Sequence, residues 1–294
     1  MKYTLTGSTG HISKPLAEHL LKEGHEVTLI SSDKKKTEEI EALGAKAAIG
    51  SVEDTHFLTR TFEGSDGIYT MVPPNPGAAD WKGFIHQIGK NYAHAIKHSG
   101  VKKVVNLSSL GAHLPKGAGP VSGLYFVEQE LDQIEGVDIL HLRPGYFYYN
   151  LLANIGMIKH MGFLGSNTGE SPMVMVHPRD IAWVAFEALN YLGFTGKSIK
   201  NIASDERSST EVAHILGEAI GKPELPWISF TNEDTLKGML QAGLPQEAAN
   251  NYVEMGACIA SGQFYSDYFA HKPHLSPTKI EDFAQEFAEI YAHS

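Results

Sequence analysis

Seven residues near the amino terminus, Gly7-Ser8-Thr9-Gly10-His11-Ile12-Ser13, combine two glycines with small hydroxyl residues, a combination suited to holding phosphate. Glycine lets backbone come close to an anion, and a helix starting here would aim its first amides and the positive end of its dipole at the same place. A glycine turn can also be purely structural. The phosphate reading is favoured by a strand-like run before the turn and a helix-like run after it. Ser13 takes the place of a third glycine and is still small enough for close helix-to-strand packing. Pro15 falls in a first helical turn, where a missing amide is tolerated. A dinucleotide is the expected ligand, held by Gly7, Ser8, Thr9, Gly10, His11 and Ile12.

The end of the second strand should choose between the two dinucleotides, because a carboxylate there would bond the ribose of NAD and repel the 2′-phosphate of NADP. This chain has Ser31-Ser32, then Asp33 and Lys34-Lys35-Lys36. Hydroxyls and ammonium groups suit a phosphate, so NADP is preferred, with NAD as the other candidate. Ser31, Ser32 and Lys36 are the expected contacts. The competing reading of the lysine run is a solvated helix start.

These residues need elements to position them. The apolar pattern predicts a strand over residues 2–6, a helix over 11–23 closed by Gly24, a strand over 27–30 and a helix over 35–43. The alternation continues with strands at 45–49 and 67–72, a helix over 81–99, a strand at 103–107, a helix over 125–134 and a strand at 137–142. Strands alternating with helices for about 145 residues indicate an α/β fold built on a doubly wound parallel sheet of the Rossmann kind. Beyond Pro144 the pattern loosens. Ser208 to Glu211 reads as a capping box, and Ser276-Pro277 reads as a helix start whose helix buries Ile280, Phe283, Phe287 and Ile290. The chain therefore divides into a dinucleotide-binding domain, 1–145, and a smaller mixed α/β region, 146–294, interleaved with it and completing a cleft.

Five segments carry a family likeness: TGSTGHIS at 6–13, EALGAKAAIGSVED at 41–54, LRPGYFYYN at 142–150, VHPRDIA at 176–182 and SSTEVAHILGEAIGKP at 208–223. In these the sequence resembles the NmrA-like family of atypical short-chain dehydrogenases, which includes quinone and triphenylmethane reductases as well as redox-sensing regulators. The resemblance implies that Ser51 and Val52 border the adenine and that Met71, Val72 and Pro73 line the cofactor. It also sets Pro144, Gly145, Tyr146 and Phe147 beside the nicotinamide. In place of Ser31, family members often carry an arginine.

In the wider superfamily that this resemblance invokes, a tyrosine with a lysine four residues on protonates a carbonyl while a serine orients it, the lysine's charge easing the tyrosine's proton away. Ser108 and Tyr125 are the matching candidates here. Four residues after Tyr125 stands Gln129. If the helix is aligned instead through Glu128, the lysine position falls on Leu124. Neither frame supplies the lysine, and Lys116 is the nearest one upstream.

Reduction of a quinone, a dye or an activated double bond can take its proton from water, so binding a flat acceptor over the nicotinamide can suffice. Phe147, Tyr148, Tyr149, Met157, Met161 and Phe163 could wall such a pocket or simply fill a core. Tyr148 and His177, the latter at a strand end, are the expected acceptor contacts, and Asp180 reads as a helix N-cap. An NAD(P)H-dependent reductase of a small planar acceptor is the leading function. A non-catalytic redox sensor with a protein partner is the alternative, and an epimerase is a more distant third. A homodimer is also compatible with the apolar helix faces.

With 24 Lys and Arg against 34 Asp and Glu, a formal charge of −10 argues against a nucleic-acid or anionic-membrane surface. No apolar run is long enough to span a bilayer, and the first residues lack a signal-peptide core. One cysteine, Cys258, fits a reducing compartment, so a cytoplasmic protein is expected. The histidines show no metal-ligand spacing.

Overall fold

The computed structural model describes all 294 residues. Its first half runs β1 (Lys2–Leu5), α1 (Ser13–Lys22), β2 (Glu26–Ser31), α2 (Thr37–Ala42), β3 (Lys46–Ile49), α3 (Thr55–Phe62), β4 (Gly67–Thr70), α4 (Trp81–Ser99), β5 (Lys103–Leu107), α5 (Val121–Asp132) and β6 (Asp138–Pro144). A two-residue strand β7 (Tyr146–Phe147) and a 3-10 stretch over Tyr148–Asn154 lead to α6 (Ile155–Met161), β8 (Leu164–Ser166), β9 (Met173–Val176), α7 (Pro178–Tyr191) and β10 (Lys197–Ile202). The chain ends with β11 (Asp205–Arg207), α8 (Ser209–Ala219), β12 (Trp227–Ser229), α9 (Asn232–Gln241), α10 (Gln246–Ala260), α11 (Ser266–Ala270) and α12 (Ile280–His293). No helix is long and apolar enough to cross a membrane.

Seven strands form one sheet in the order β10-β6-β5-β4-β1-β2-β3, and every pairing in it is parallel. The expected doubly wound α/β fold is present. The chain winds one way from β1 through β2 to β3 and the other way from β4 outward, so a crevice opens between the carboxyl ends of β1 and β4. The outermost strand, β10, comes from the second half of the chain. Small sheets β11-β9-β7 and β12-β8 stand beyond the carboxyl edge of β6.

Each face of the large sheet buries its own core. Leu16, Leu20, Ile181, Ala185 and Leu189 of α1 and α7 pack on Tyr3, Leu5, Tyr69 and Val105. Leu58, Ile88, Tyr92, Val127 and Leu131 of α3, α4 and α5 cover Ile68, Val104 and Ile139. Among those apolar strand residues the second face also carries four buried polar ones, Thr70, Asn106, His141 and Arg143, which must find partners. Thr70 donates to Asn106, whose amide donates to Nδ1 of His141, and Nε2 of His141 reaches Asp132 at 3.0 Å. The Arg143 guanidinium, 5% exposed, holds both carboxylate oxygens of Glu128, itself 3% exposed, at 3.0 and 2.5 Å. Glu128 and Asp132, one helical turn apart, thus meet Arg143 and His141, two strand positions apart, and α5 is stitched to β6 by two polar pairs.

Several expected boundaries move. The helix α3 was not anticipated; Asp54 caps it by accepting from the Phe57 amide, and only Leu58 and Phe62 are buried. Helix α5 begins at Val121, so Tyr125 lies in its second turn instead of at its start. The lysine run forms a short 3-10 turn, Lys34–Lys36, ahead of α2. Asp180 is not an N-cap: His177 caps α7, accepting the Arg179 amide on Nδ1, with Pro178 as the first helical residue. The last helix begins at Ile280, after Ser276-Pro277, and Ile290 is 43% exposed, since the buried stripe ends with Phe287. The capping box at Ser208 and Glu211 forms as expected.

Replacing Arg143 with Met strands the Glu128 carboxylate in the interior, and breaking a buried pair from one side costs about 3 kcal/mol or more. Urea denaturation should show that loss. The double variant Arg143→Met with Glu128→Gln should recover part of it, and equal stability of the single variant and the parent would refute the role given to this pair.

Candidate functional site

The glycine turn lies at the crevice mouth, tied down by its neighbours. The Ser8 amide donates to the Ile30 carbonyl at the end of β2, and the Ser13 hydroxyl donates to the Thr6 carbonyl at 2.8 Å. Gly7 has φ +95°, and a Cβ there would lie 2.4 Å from the Ser13 hydroxyl oxygen and 3.2 Å from Met71 Cγ, so only glycine fits. The amides of Thr9, His11, Ile12 and Ser13 find no acceptor within the protein. The Ser8 hydroxyl is likewise buried without a partner. Four free amides and an orphaned hydroxyl around one turn are what an anionic pyrophosphate needs, so the residues present fit a dinucleotide.

The other expected contacts sit on the same carboxyl edge. Ser51 and Val52 follow β3, where the Ser51 hydroxyl accepts from the Glu53 amide and the Val52 carbonyl accepts from Asn91. Met71, Val72 and Pro73 follow β4 and are half-buried. The Met71 amide donates to the Thr6 hydroxyl, and its carbonyl accepts from the Tyr92 hydroxyl. Pro144 ends β6. Gly145 donates to the Ile202 carbonyl, and a Cβ on it would meet the Val174 carbonyl oxygen at 2.5 Å, which brings the β6 turn hard against β9. Tyr146 and Phe147 are half-buried beside it.

At the end of β2 the expected phosphate contacts are partly engaged. The Ser31 hydroxyl is buried and closed on Asp33, donating to its carbonyl and accepting from its amide. Ser32 is exposed, and the Lys36 ammonium is 2.7 Å from the Glu39 carboxylate.

The two catalytic candidates do not meet. The Ser108 hydroxyl, buried behind β5, donates to Glu128 at 2.5 Å, while the hydroxyl of Tyr125 has no hydrogen-bond partner and its ring lies edge-on to Phe126. In α5 the two positions open to a catalytic lysine are Leu124 and Gln129, and the charged residue between them, Glu128, is neutralised from the sheet by Arg143.

Both expected acceptor contacts are corrected. Tyr148 is 0% exposed, its hydroxyl donating to the Thr278 carbonyl and its ring stacked on Phe283. His177 is 4% exposed, and both ring nitrogens are engaged, Nδ1 as the helix cap and Nε2 with Glu286 at 3.2 Å. The side chain that does stand at the mouth is Tyr149. Its ring lies edge-on to His11 of the glycine turn, with centroids 4.4 Å apart, and its hydroxyl donates to Glu286 at 3.0 Å. Glu286 therefore joins Tyr149, His177 and, at 3.9 Å, Arg179. Burial and the Glu286 carboxylate push the Tyr149 phenol up to about 12. Sequence reading grouped Tyr149 with the aromatic wall, but Glu286, 137 residues away, gave no local signal. Met161, another member of that proposed wall, is exposed.

Comparison with known proteins agrees with this geometry. A family model described as NAD(P)H-binding matches residues 7–190. The chain is 25% identical over 288 residues to an NAD(P)H azoreductase of Xenophilus azovorans, covering 98% of this chain and 97% of that protein. Its fold is similar to that of an NADPH-dependent quinone oxidoreductase from Escherichia coli, with TM-score 0.80, 20% identity and coverage of 97% and 98%. A triphenylmethane reductase from Citrobacter sp. superposes equally well, with TM-score 0.80, 19% identity and coverage of 98% and 100%. The likeness seen in the sequence motifs is borne out.

Burial, then the Arg179 charge, holds the His177 imidazole below the ordinary histidine value of 6.5, against the weaker pull of Glu286. As pH falls, the unfolded chain takes up this proton before the folded one does, so stability present above about pH 6.5 is lost below it. The thermal midpoint should drop between about pH 7.5 and about pH 5.5, and less steeply in His177→Asn, whose amide can still cap α7. Identical slopes for parent and variant would exclude His177 as a contributor.

Proposed function

Because the chain belongs to the NAD(P)H-binding family, we propose that it is an NAD(P)H-dependent reductase of a small planar acceptor such as an azo dye, a quinone or a triphenylmethane dye. The observation that carries this reading is the glycine turn with its four free amides, closed on one side by the aromatic ring of Tyr149. Azo, quinone and triphenylmethane reductases among the similar proteins support the acceptor class. In this reading residues 1–145 hold the dinucleotide and residues 146–294 complete the acceptor side. The protein would work in the cytoplasm, where its one cysteine, buried and unpaired, stays reduced.

Thr9, His11, Ile12 and Ser13 would hold the pyrophosphate through their amides, and Met71 through Pro73 and Pro144 through Phe147 would flank the rest of the cofactor. Bound there, NADPH or NADH supplies a hydride, two electrons with one hydrogen nucleus, to the acceptor. A neutral azo compound or quinone would then carry a negative charge that must be met by a proton, whereas a cationic triphenylmethane dye would become neutral and need none. Tyr149, whose ring packs on His11 of the glycine turn, carries a hydroxyl that can supply one. Burial, and then Glu286, keeps that phenol protonated through the neutral range, so it can give a proton only to a strong base. The nitrogen anion of a half-reduced azo group is such a base. A quinol anion is much weaker and can take its proton from water.

NAD(P)H oxidation followed by absorbance across azo dyes, quinones and triphenylmethane dyes tests the function, with turnover expected on at least one class. Tight cofactor binding with no turnover on any of them would favour a redox sensor. Tyr149→Phe should lower kcat on an azo dye by about tenfold to a hundredfold, leave quinone reduction and the KM for NADPH within about twofold, and abolish any rate change as pH approaches 12. Equal rates on the azo dye would remove Tyr149 from the chemistry.

A further inference from the structure

We infer that Glu39 sets the balance between NADPH and NADH, because it holds Lys36 in an ion pair that a 2′-phosphate has to break. The inference rests on dinucleotide binding at the glycine turn, and it identifies a residue that the residue types at the strand end do not reveal. Strand β2 delivers the adenosine side of the site, and its last groups are already committed. The Ser31 hydroxyl is closed on Asp33, and the Asp33 carboxylate accepts from the Lys35 amide at 2.9 Å. What remains to greet a phosphate is the exposed Ser32 and the set of ammonium groups, and the one on Lys36 lies 2.7 Å from Glu39 Oε2.

Glu39 is on α2, three residues beyond Lys36, and its carboxyl is also lowered by the Thr9 hydroxyl of the glycine turn and, most weakly, by the Lys14 charge on α1. Lys36 first, then Thr9, holds this carboxyl below the ordinary range, so it is charged whenever cofactor binds. The cluster is therefore two cations and one anion gathered beside Thr9. A 2′-phosphate arriving there is drawn by Lys36 and Lys14 and repelled by Glu39. The unphosphorylated ribose of NADH meets no such repulsion and finds in Glu39 an acceptor for its hydroxyls. Both members of the Lys36–Glu39 pair are exposed enough that solvent screens their attraction, and such pairs are readily exchanged. The arrangement admits both dinucleotides and holds back the preference for NADPH that the lysines alone would create.

The test is titration of NADPH and NADH into the full chain, read by nicotinamide fluorescence, for the parent, Glu39→Gln and Lys36→Met. Glu39→Gln should tighten NADPH about fivefold to tenfold and change NADH by less than about twofold, in keeping with one partly screened charge beside a phosphate. Lys36→Met should weaken NADPH selectively, which also checks the subsite through a variant that leaves Glu39 in place. An unchanged NADPH-to-NADH ratio in Glu39→Gln, or an equal shift for both cofactors, overturns the inference while leaving the reductase reading standing. Binding of neither dinucleotide by the parent overturns both.

Discussion

The guanidinium of Arg143 is the group on which the cofactor-facing half of this fold depends. A cation carried into the interior on a central strand must be neutralised and hydrogen-bonded there. Glu128 from α5 and Asp267 from α11 both answer it, the latter at 3.1 Å. Ser108 joins the same carboxylate from the end of β5. One charge thus ties together two neighbouring strands, the helix behind them and a helix from the far end of the chain. Pro144 and Gly145 follow Arg143 directly, so the turn that presents Tyr146 through Tyr149 to the crevice starts from the most heavily anchored point of the sheet.

That anchoring has a chemical cost to the helix involved. In the superfamily invoked by the sequence likeness, the helix after β5 carries a tyrosine and a lysine. Here it carries Tyr125 without the lysine, and its Glu128 and Asp132 both face buried partners on β6. A lysine added beside Tyr125 would compete with Arg143 for Glu128. The charged groups of this helix are engaged with the sheet, and neither Leu124 nor Gln129 carries a charge that could tune the Tyr125 phenol. Chemistry that needs a protein proton then has to draw it from another wall of the crevice, and the wall that offers a hydroxyl next to the glycine turn is the one built by Tyr149 and Glu286.

The parts of the fold that were legible in the sequence are those encoded locally. The glycine turn, the alternation of buried strands with amphipathic helices and the capping box at Ser208 each need only a few neighbouring residues, and each is present. The helix α3 escaped notice because it is two turns long, rich in threonine and buried at only two positions, so its periodicity hardly rises above its surroundings. The exchange between Tyr148 and Tyr149 has a different cause. A two-residue strand passes straight into a 3-10 turn there, and no repeat carries the inward direction across that junction. Asp180 failed as a cap for a reason that lies elsewhere in the chain: its carboxylate is drawn inward by Ser204 and Thr278, and the capping falls to His177. Contacts of this kind depend on residues 24 and 98 positions away, and composition around one residue does not encode them.

The two ends of the crevice also differ in how their charges are managed. On the adenosine side, Lys14, Lys36 and Glu39 are partly exposed to water, where an ion pair is weak and an incoming phosphate can rearrange it. On the acceptor side, Glu286 accepts from Tyr149 and His177 while the Arg179 charge stands close by, and His177 is almost wholly buried. Glu286 and Arg179 are themselves about as open as that pair, and it is the hydrogen bond from the buried His177 that fixes the carboxylate in place. A chain with ten excess negative charges can still recruit an anionic cofactor, because the field that matters is the local one at the glycine turn, set by free amides and two lysines. It follows that selectivity between dinucleotides is the adjustable property of this site. The geometry at the acceptor end is bound up with the fold itself, because α12 contributes both Glu286 to the crevice and Phe283 to the core beneath it.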